Sequence, residues 1–275
     1  MPIPELFLAL VVILALVTAS LWDIKTREIP NWLNYSLFAI GFSVSLFNAL
    51  FANLWQNFFI VILVIAAFFA LSNLLYYTKQ WGGGDAKMLI ALAPIIAVYE
   101  KGNALTFLVN LLFVGALYGF LWTLVLAMKN RKRVLKEFWI VNKTKGLKSL
   151  KLSALLLLPL IFLVKSSLIK ISLLSIAIYV FSLAYFWAFI RAVENIEMYK
   201  IIPVSKLTEG DWIVNEDILK RFHVPKSGVE LKHIKKMQKA GIKRITVKDG
   251  IPFAPSFLFA YIISFFLGDI LFIFS

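Results

Sequence analysis

The strongest constraint on this 275-residue chain is a series of apolar segments long enough to cross a lipid bilayer. A hydrocarbon core about 30 Å thick requires about 20 apolar residues of helix. The composition, 61% hydrophobic and 16% charged, also leaves too little polar surface for a water-soluble fold. We therefore predict an all-α polytopic membrane protein with about six to eight transmembrane helices. The predicted spans are residues 5–22, 33–51, 57–78, 86–99, 104–128, 152–165, 168–190 and 253–274.

The stretch 152–190 is too long for a single crossing at about 1.5 Å of rise per residue. The polar residues Lys165, Ser166 and Ser167 interrupt it. The pattern predicts a helical hairpin that turns at these three residues.

The basic residues predict the orientation of the chain. Alternate crossings place four polar segments on one side, and these hold 26 of the 29 lysines and arginines. Positive charge concentrates in cytoplasmic loops, so these segments are predicted to be cytoplasmic and both chain ends to lie outside. Residues 1–5 lack the basic region of a cleaved signal peptide, so the first apolar segment is expected to stay in the membrane. The four segments are residues 23–32, 79–87, 129–151 and 191–251.

This distribution also explains the formal net charge of +14. Basic loops beside the inner leaflet meet anionic lipid headgroups. Lipid headgroups are therefore predicted partners, and no nucleic-acid partner is predicted.

The polar segment 191–251 has the pattern of a small cytoplasmic α/β module. Asp211–Val214 and Ile242–Val247 are rich in β-branched residues and predict short strands. Ser227–Glu230 has the spacing of a capping box and predicts the start of a helix that ends at Gly241. One face of this helix is predicted to carry Leu231, Ile234 and Met237.

The domain organisation predicted from these patterns has three parts. Residues 1–190 form a transmembrane bundle, with the basic cytoplasmic linker 129–151 inside it. Residues 191–251 form the module, and residues 252–275 return to the bundle as a last transmembrane helix.

Two aspartates lie at the predicted cytoplasmic ends of spans, Asp23 after the first and Asp85 before the fourth. An ionisable group at membrane depth is costly and is usually functional. Structural roles also exist for both. Asp23 is then an interfacial charge paired with Lys25 or Arg27, and Asp85 is the N-cap of its helix.

The residues around Asp85 favour a functional role. Gly82, Gly83 and Gly84 exceed what an N-cap requires, and they permit close approach of a substrate backbone. The span 86–99 is short, so its N-terminus is expected beneath the membrane surface, in a cavity.

Two carboxylates in one cavity cannot both ionise easily, so the pair shares a proton. One group then takes a proton from water while the other protonates a peptide carbonyl, which requires no metal and no cofactor. Other peptidase chemistries lack their residues. The chain has no cysteine, and its two histidines, His223 and His233, lie in the polar module, away from any span.

Three stretches of this sequence resemble the archaeal preflagellin and prepilin peptidases, members of the GxGD family of membrane aspartic proteases. Their order and spacing match along most of the chain. The hairpin 152–190 and its basic linker are additional to the smaller archaeal relatives. The three stretches are Asp23 with Ile29-Pro30-Asn31, Gly82-Gly83-Gly84-Asp85 with Lys87, and Gly250-Ile251-Pro252-Phe253-Ala254-Pro255.

The resemblance implies a membrane endopeptidase with Asp23 and Asp85 as its catalytic pair. It implies removal of a short basic leader from type IV pilin-like or archaellin precursors at the cytoplasmic membrane face. The implied partners are membrane-inserted precursors, each with a hydrophobic helix after its leader. Substrate-binding or loop-flexibility roles are assigned to Gly82, Gly83, Gly84, Pro252, Phe253 and Pro255.

Two functions from other classes compete with this interpretation. A transporter or channel would use Asp23 and Asp85 to relay protons or bind a cation. Transporters commonly show internal repeats and sites at the bilayer midplane, whereas here no repeat is evident and the acids lie near one face. A membrane scaffold would leave the triple glycine without a role. For Lys87, binding of lipid phosphate is the favoured role.

Overall fold

The structure, a computed structural model, describes residues 5–98, 104–225 and 228–270 and divides into two compact units. The first unit draws on residues 1–120, 204–242 and 250–275. The second draws on residues 121–203 and 243–249.

The described residues form eleven α-helices, and five helical segments among them are long and apolar enough to cross a membrane. The prediction of a multi-pass, all-α membrane protein is confirmed. The five segments are Leu6–Thr26, Asn31–Phe51, Trp55–Tyr77, Ala104–Lys129 and Ser167–Met198. The helices are α1 (Glu5–Thr26), α2 (Asn31–Phe51), α3 (Trp55–Tyr77), α4 (Gly83–Val98), α5 (Ala104–Lys129), α6 (Arg131–Asn142), α7 (Lys145–Leu163), α8 (Ser167–Val193), α9 (Glu216–Phe222), α10 (Leu231–Lys239) and α11 (Ala254–Phe266).

The predicted hairpin is confirmed, because α7 ends at Leu163 and α8 begins at Ser167. A π-helical turn, Glu194–Met198, extends α8 beyond the predicted span. Sequence patterns missed α6 within the basic linker. Its residues are mostly charged, so hydropathy gave no signal, and its apolar positions Val134 and Phe138 pack on α8.

Three short strands lie in the polar segment, β1 (Tyr199–Pro203), β2 (Trp212–Ile213) and β3 (Arg244–Lys248). β1 pairs antiparallel with β3, with Tyr199 opposite Lys248 and Pro203 opposite Arg244. The two predicted strands are found near their expected positions, and β1 was not predicted.

The predicted capping box at Ser227–Glu230 is wrong about which residue caps the helix. Glu230 itself is the N-cap of α10 and forms a capping box with His233, while Ser227 lies outside the described residues. Leu231 is exposed and does not share the buried face of Ile234 and Met237. A carboxylate accepts from the free N–H groups of a first helical turn as well as a serine does, which explains the shift.

α4 is the central helix of the first unit. Met88, Leu89, Leu92 and Ile95 are completely buried, and its apolar residues cover all sides of the helix. A helix that is hydrophobic all round has no solvent face and is buried by its neighbours. This burial explains how 16 residues, about 24 Å of helix, form a stable element at the centre of the first unit.

A glycine allows α2 to approach α4 closely. A Cβ placed on Gly41 would lie 2.5 Å from Ile95 Cγ1 and 2.8 Å from the Ile95 backbone nitrogen. In lipid, helices associate through close packing, and small residues at the contact make it possible.

α11 ends earlier than the predicted span 253–274. It stops at Phe266, Gly268 adopts a left-handed conformation with φ +81°, and residues 271–275 lie outside the description. The buried side-chain amide of Asn110 forms hydrogen bonds with backbone groups that follow the end of α11. Its Nδ2 donates to Gly268 O and Ser264 Oγ, both at 2.8 Å, and its Oδ1 accepts from Ile270 N at 2.9 Å.

Candidate active site

Asp23 is buried one turn before the end of α1, with 6% of its surface exposed. Its Oδ2 accepts a hydrogen bond from the backbone N–H of Ala254 at 2.9 Å. Ala254 is the first residue of α11, where N–H groups have no partner within the helix. The start of α11 therefore provides a donor to a carboxylate that sits at the unfavourable end of α1.

Asp85 lies in the first turn of α4, and the N-cap role considered for it is wrong. The helix begins at Gly83, two residues earlier. Asp85 Oδ2 instead reaches back and accepts from the backbone N–H of Gly82 at 3.3 Å. A capping box consists of two hydrogen bonds, and this is one of them: the side chain of the third helical residue accepts from the backbone N–H of the residue before the helix.

The structure brings the two aspartates together, although 62 positions of sequence separate them. Asp23 acts electrostatically on Asp85. Asp85 remains partly exposed, whereas Asp23 is buried. One carboxylate is thus held by α11 and the other by the glycine loop, and the pair is reachable from the Asp85 side.

The Ile29-Pro30-Asn31 stretch packs directly on the glycine loop. A Cβ placed on Gly84 would lie 3.5 Å from Ile29 Cγ1 and Cδ1, which is ordinary van der Waals contact. Lys87 Nζ donates to Asn31 Oδ1 at 2.9 Å. These two contacts join the first and second motif stretches next to the aspartates.

The third motif stretch, residues 250–255, contacts the other two motif regions. Pro252 and Pro255 are buried, and Pro255 occupies the first turn of α11, where proline is tolerated. Phe253 packs with Trp81, at 5.6 Å between ring centroids, and with Phe257 at 5.8 Å. These rings form an aromatic cluster beside the glycine loop.

The place of Phe253 depends on a glycine in α5. A Cβ placed on Gly115 would lie 2.6 Å from Phe253 Cζ. The aromatic ring therefore occupies space that a larger residue on α5 would fill.

Sequence reasoning missed four participants in this site: the N–H of Ala254, the ring of Trp81, Gly115 and Tyr118. Tyr118, on α5, interacts electrostatically with Asp23 and with Arg27. The Ala254 contact has a partial signal in the sequence, because it falls within the third stretch. Trp81 lies in the polar segment 79–87, where no pattern marks it, and Gly115 and Tyr118 lie in an apolar helix whose residues hydropathy does not distinguish.

Comparison with known proteins finds a match to one protein family. Residues 10–127 match the type IV leader peptidase family. The matched region contains Asp23, Asp85 and the contacts between the first two stretches, whereas the third stretch lies outside it. The predicted resemblance to this family is confirmed.

One curated relative of the leader peptidase family extends the comparison. The chain is 29% identical over 122 residues to the prepilin peptidase EppA of Methanothermobacter thermautotrophicus. The alignment covers 44% of this chain and 32% of that protein, so the chain matches about a third of its relative's length. No solved structure matches the chain.

Proposed function

We propose that this protein is a membrane aspartic endopeptidase that removes a short basic leader from type IV pilin-like or archaellin precursors. Asp23 and Asp85 are its catalytic pair, and the reaction takes place at the cytoplasmic membrane face. The family match over residues 10–127 supports peptidase activity. The name of the archaeal relative supports precursors of pilin type as substrates.

The observation that carries the proposal is that two carboxylates, at the end of α1 and at the start of α4, lie near enough for the charge of Asp23 to act on Asp85. One of them is held by a backbone N–H contributed from 231 residues away. A pair of surface acids needs no such support. Positioned carboxylates are the groups that an aspartic peptidase requires.

The chemistry follows from the sharing of one proton between the two groups. The charged carboxylate takes a proton from a water molecule, whose oxygen attacks the peptide carbonyl carbon. The protonated carboxyl gives its proton to the carbonyl oxygen, so a tetrahedral diol forms. The diol then collapses as its C–N bond breaks. One hydroxyl proton passes to the carboxylate that gave its proton to the carbonyl oxygen, and the carboxyl that took a proton from water gives it to the leaving nitrogen, which restores the starting protonation of the pair.

The surroundings of Asp23 and Asp85 indicate which of the two is charged and which is protonated when substrate binds. The hydrogen bond from the Ala254 N–H favours the charged form of Asp23, so we assign Asp23 the charged role that activates water. Asp85 is partly exposed beside the glycine loop, where a substrate backbone can approach. We assign it the protonated role that faces the carbonyl oxygen.

The cytoplasmic face is supported by the distribution of basic residues, because Lys25, Arg27, Lys79 and Lys87 border the two aspartates in sequence. A precursor whose basic leader is cytoplasmic and whose following helix is in the membrane presents its scissile bond at that depth.

The test is cleavage of a membrane-inserted precursor by the purified protein in lipid, with Asp23→Asn and Asp85→Asn compared with wild type. Each substitution is expected to lower the cleavage rate at least about 100-fold, the lower end of what a positioned acid or base contributes. Asp269→Asn serves as the matched control, since Asp269 follows the far end of α11. Its cleavage rate is expected to equal that of wild type.

Thermal unfolding midpoints verify that each variant remains folded. Cleavage by either active-site variant at the wild-type rate would remove that residue from the catalytic pair. Failure of the folded wild type to cut pilin-type and archaellin-type precursors would reject the proposed substrate class.

A further inference from the structure

A cavity of about 680 Å³ opens in the second unit, and none of its lining residues belongs to the aspartate site. It lies between the end of α6, the start of α7 and the end of α8. Neither the proposed peptidase chemistry nor the three motif stretches uses it. Its walls include Val141, Leu147, Leu150, Trp187, Arg191 and Asn195.

The cavity lies where apolar helix meets a strongly basic segment. Arg191 occupies the last turn of α8, near the end of the apolar segment Ser167–Met198. On the other side, the segment 129–151 carries nine lysines and arginines and a single acid, Glu137. This combination is typical of a membrane–water boundary beside anionic lipid.

The charged side chains around Arg191 carry more positive than negative charge. Arg191 Nη1 donates to Glu194 Oε2 at 3.0 Å, but the same carboxylate also pairs with Lys248 Nζ at 2.7 Å. Two cations therefore share one buried anion. The Arg191 side chain keeps 42% of its surface exposed and lines the cavity.

Apart from Thr144 and Asn195, the side chains that line the remaining walls are apolar or aromatic. Leu147 and Leu150 come from α7, and Trp187 lies one turn before Arg191 on α8, with the guanidinium 5.1 Å from its ring centroid. Tryptophan at a membrane boundary places an apolar ring beside lipid chains and its polar edge toward headgroups. A ligand that fits this cavity has a negative charge at one end and a hydrocarbon chain at the other.

We propose that this cavity binds an anionic phospholipid. The phosphate lies against the guanidinium of Arg191, whose planar array of N–H groups suits two phosphate oxygens. An acyl chain lies along Leu147, Leu150 and Trp187. A free phosphate ion would leave these apolar walls in water, which is why a lipid is the occupant that matches the whole cavity.

The test is native mass spectrometry of the full chain in detergent, titrated separately with phosphatidylglycerol and with phosphatidylcholine. Wild type is expected to retain phosphatidylglycerol about tenfold more tightly, since one charge-assisted contact is of that order. Arg191→Gln is expected to abolish the preference, and Arg191→Lys to keep part of it. Lys170→Gln, at the other end of α8, is the control of equal charge change and is expected to behave as wild type.

A second variant fills the cavity without altering charge. Gly146 lines the cavity, and a Cβ added there meets nothing within 4 Å, so Gly146→Phe introduces a ring without a backbone clash. It is expected to weaken phosphatidylglycerol binding about tenfold. Gly119→Phe is the matched control, because a Cβ on Gly119 also meets nothing within 4 Å.

Equal retention of the two lipids by wild type would overturn the proposal. So would unchanged phosphatidylglycerol binding in both Arg191→Gln and Gly146→Phe. If Arg191→Gln does not fold, Gly146→Phe decides the question alone. None of these results depends on peptidase activity.

Discussion

The backbone N–H of Ala254 donates to Asp23 Oδ2 at 2.9 Å and joins α11 to α1 across 231 residues of sequence. Ala254 is completely buried and Asp23 nearly so. A buried N–H group that loses its hydrogen-bond partner costs free energy. The contact therefore supports the fold as well as the proposed chemistry.

This dual role separates two substitutions at Asp23. Asp23→Asn keeps an oxygen that accepts from Ala254, whereas Asp23→Ala leaves that N–H buried without an acceptor. Both are expected to abolish cleavage, but Asp23→Ala is expected to be less stable by about 1–3 kcal/mol. Thermal unfolding in one detergent measures the difference. Equal midpoints for the two variants would contradict a structural role for this hydrogen bond.

Gly41 is expected to tolerate no larger residue. In Gly41→Ala the new methyl group meets the backbone nitrogen of Ile95 at 2.8 Å, so α2 and α4 must separate. Overpacking of this kind costs about 1–3 kcal/mol. Gly119→Ala is the control, and it is expected to leave stability unchanged or raise it by up to about 1 kcal/mol, because alanine is the better helix former. A Gly41→Ala protein as stable as the control would refute the close packing.

The Asn110 amide is expected to hold the end of α11 in place. Asn110→Leu has a similar size but leaves Gly268 O and Ile270 N without their partner, at a cost of about 2–5 kcal/mol for these two partly buried groups. Ser264→Ala removes two hydrogen bonds, the one from Asn110 Nδ2 and the one to Ala260 O, but it leaves Asn110 bound to Gly268 O and Ile270 N. Its effect is therefore expected to be smaller, about 1–2 kcal/mol. Thermal unfolding midpoints of the two variants measure the difference. A midpoint of Ser264→Ala equal to or lower than that of Asn110→Leu would contradict the role given to the Asn110 amide.

The cap of α10 predicts a pH dependence in the polar segment. The hydrogen bond from Lys232, together with the charges of Lys232 and His233, lowers the pKa of Glu230 from its ordinary value of 4.5. A lowered folded-state pKa means that this stabilisation is present above pH 4.5 and is lost as pH falls through the folded pKa.

Unfolding midpoints of wild type and Glu230→Gln, measured across this range, test the prediction. Above pH 4.5 the unfolding midpoint of wild type is expected to exceed that of Glu230→Gln, and at lower pH this difference is expected to disappear. A gap independent of pH would show that the charge of Glu230 does not stabilise the cap. Glu216→Gln, at the start of α9, is the control for loss of an exposed carboxylate.

Five of the predicted membrane spans, and the position of Asp23 and Asp85 at the ends of apolar segments, were predictable from the sequence because both depend on local composition. Whether a segment such as 57–78 enters lipid depends on the transfer energy of its own side chains, which no distant residue alters. Acids at the ends of such segments, like Asp23 and Asp85, stand out for the same reason. The hairpin turn at Lys165–Ser167 followed from length and polarity alone.

The tertiary structure decided which distant groups meet those aspartates. Nothing in the composition near Ala254 distinguishes its N–H from any other, and nothing in α5 marks Gly115 as the position that accommodates Phe253. The early end of α11 likewise depends on Asn110, a residue more than 150 positions away. Contacts of this kind depend on which helices pack together, and in lipid that depends on the fit of side-chain shapes and buried hydrogen bonds, which hydropathy does not encode.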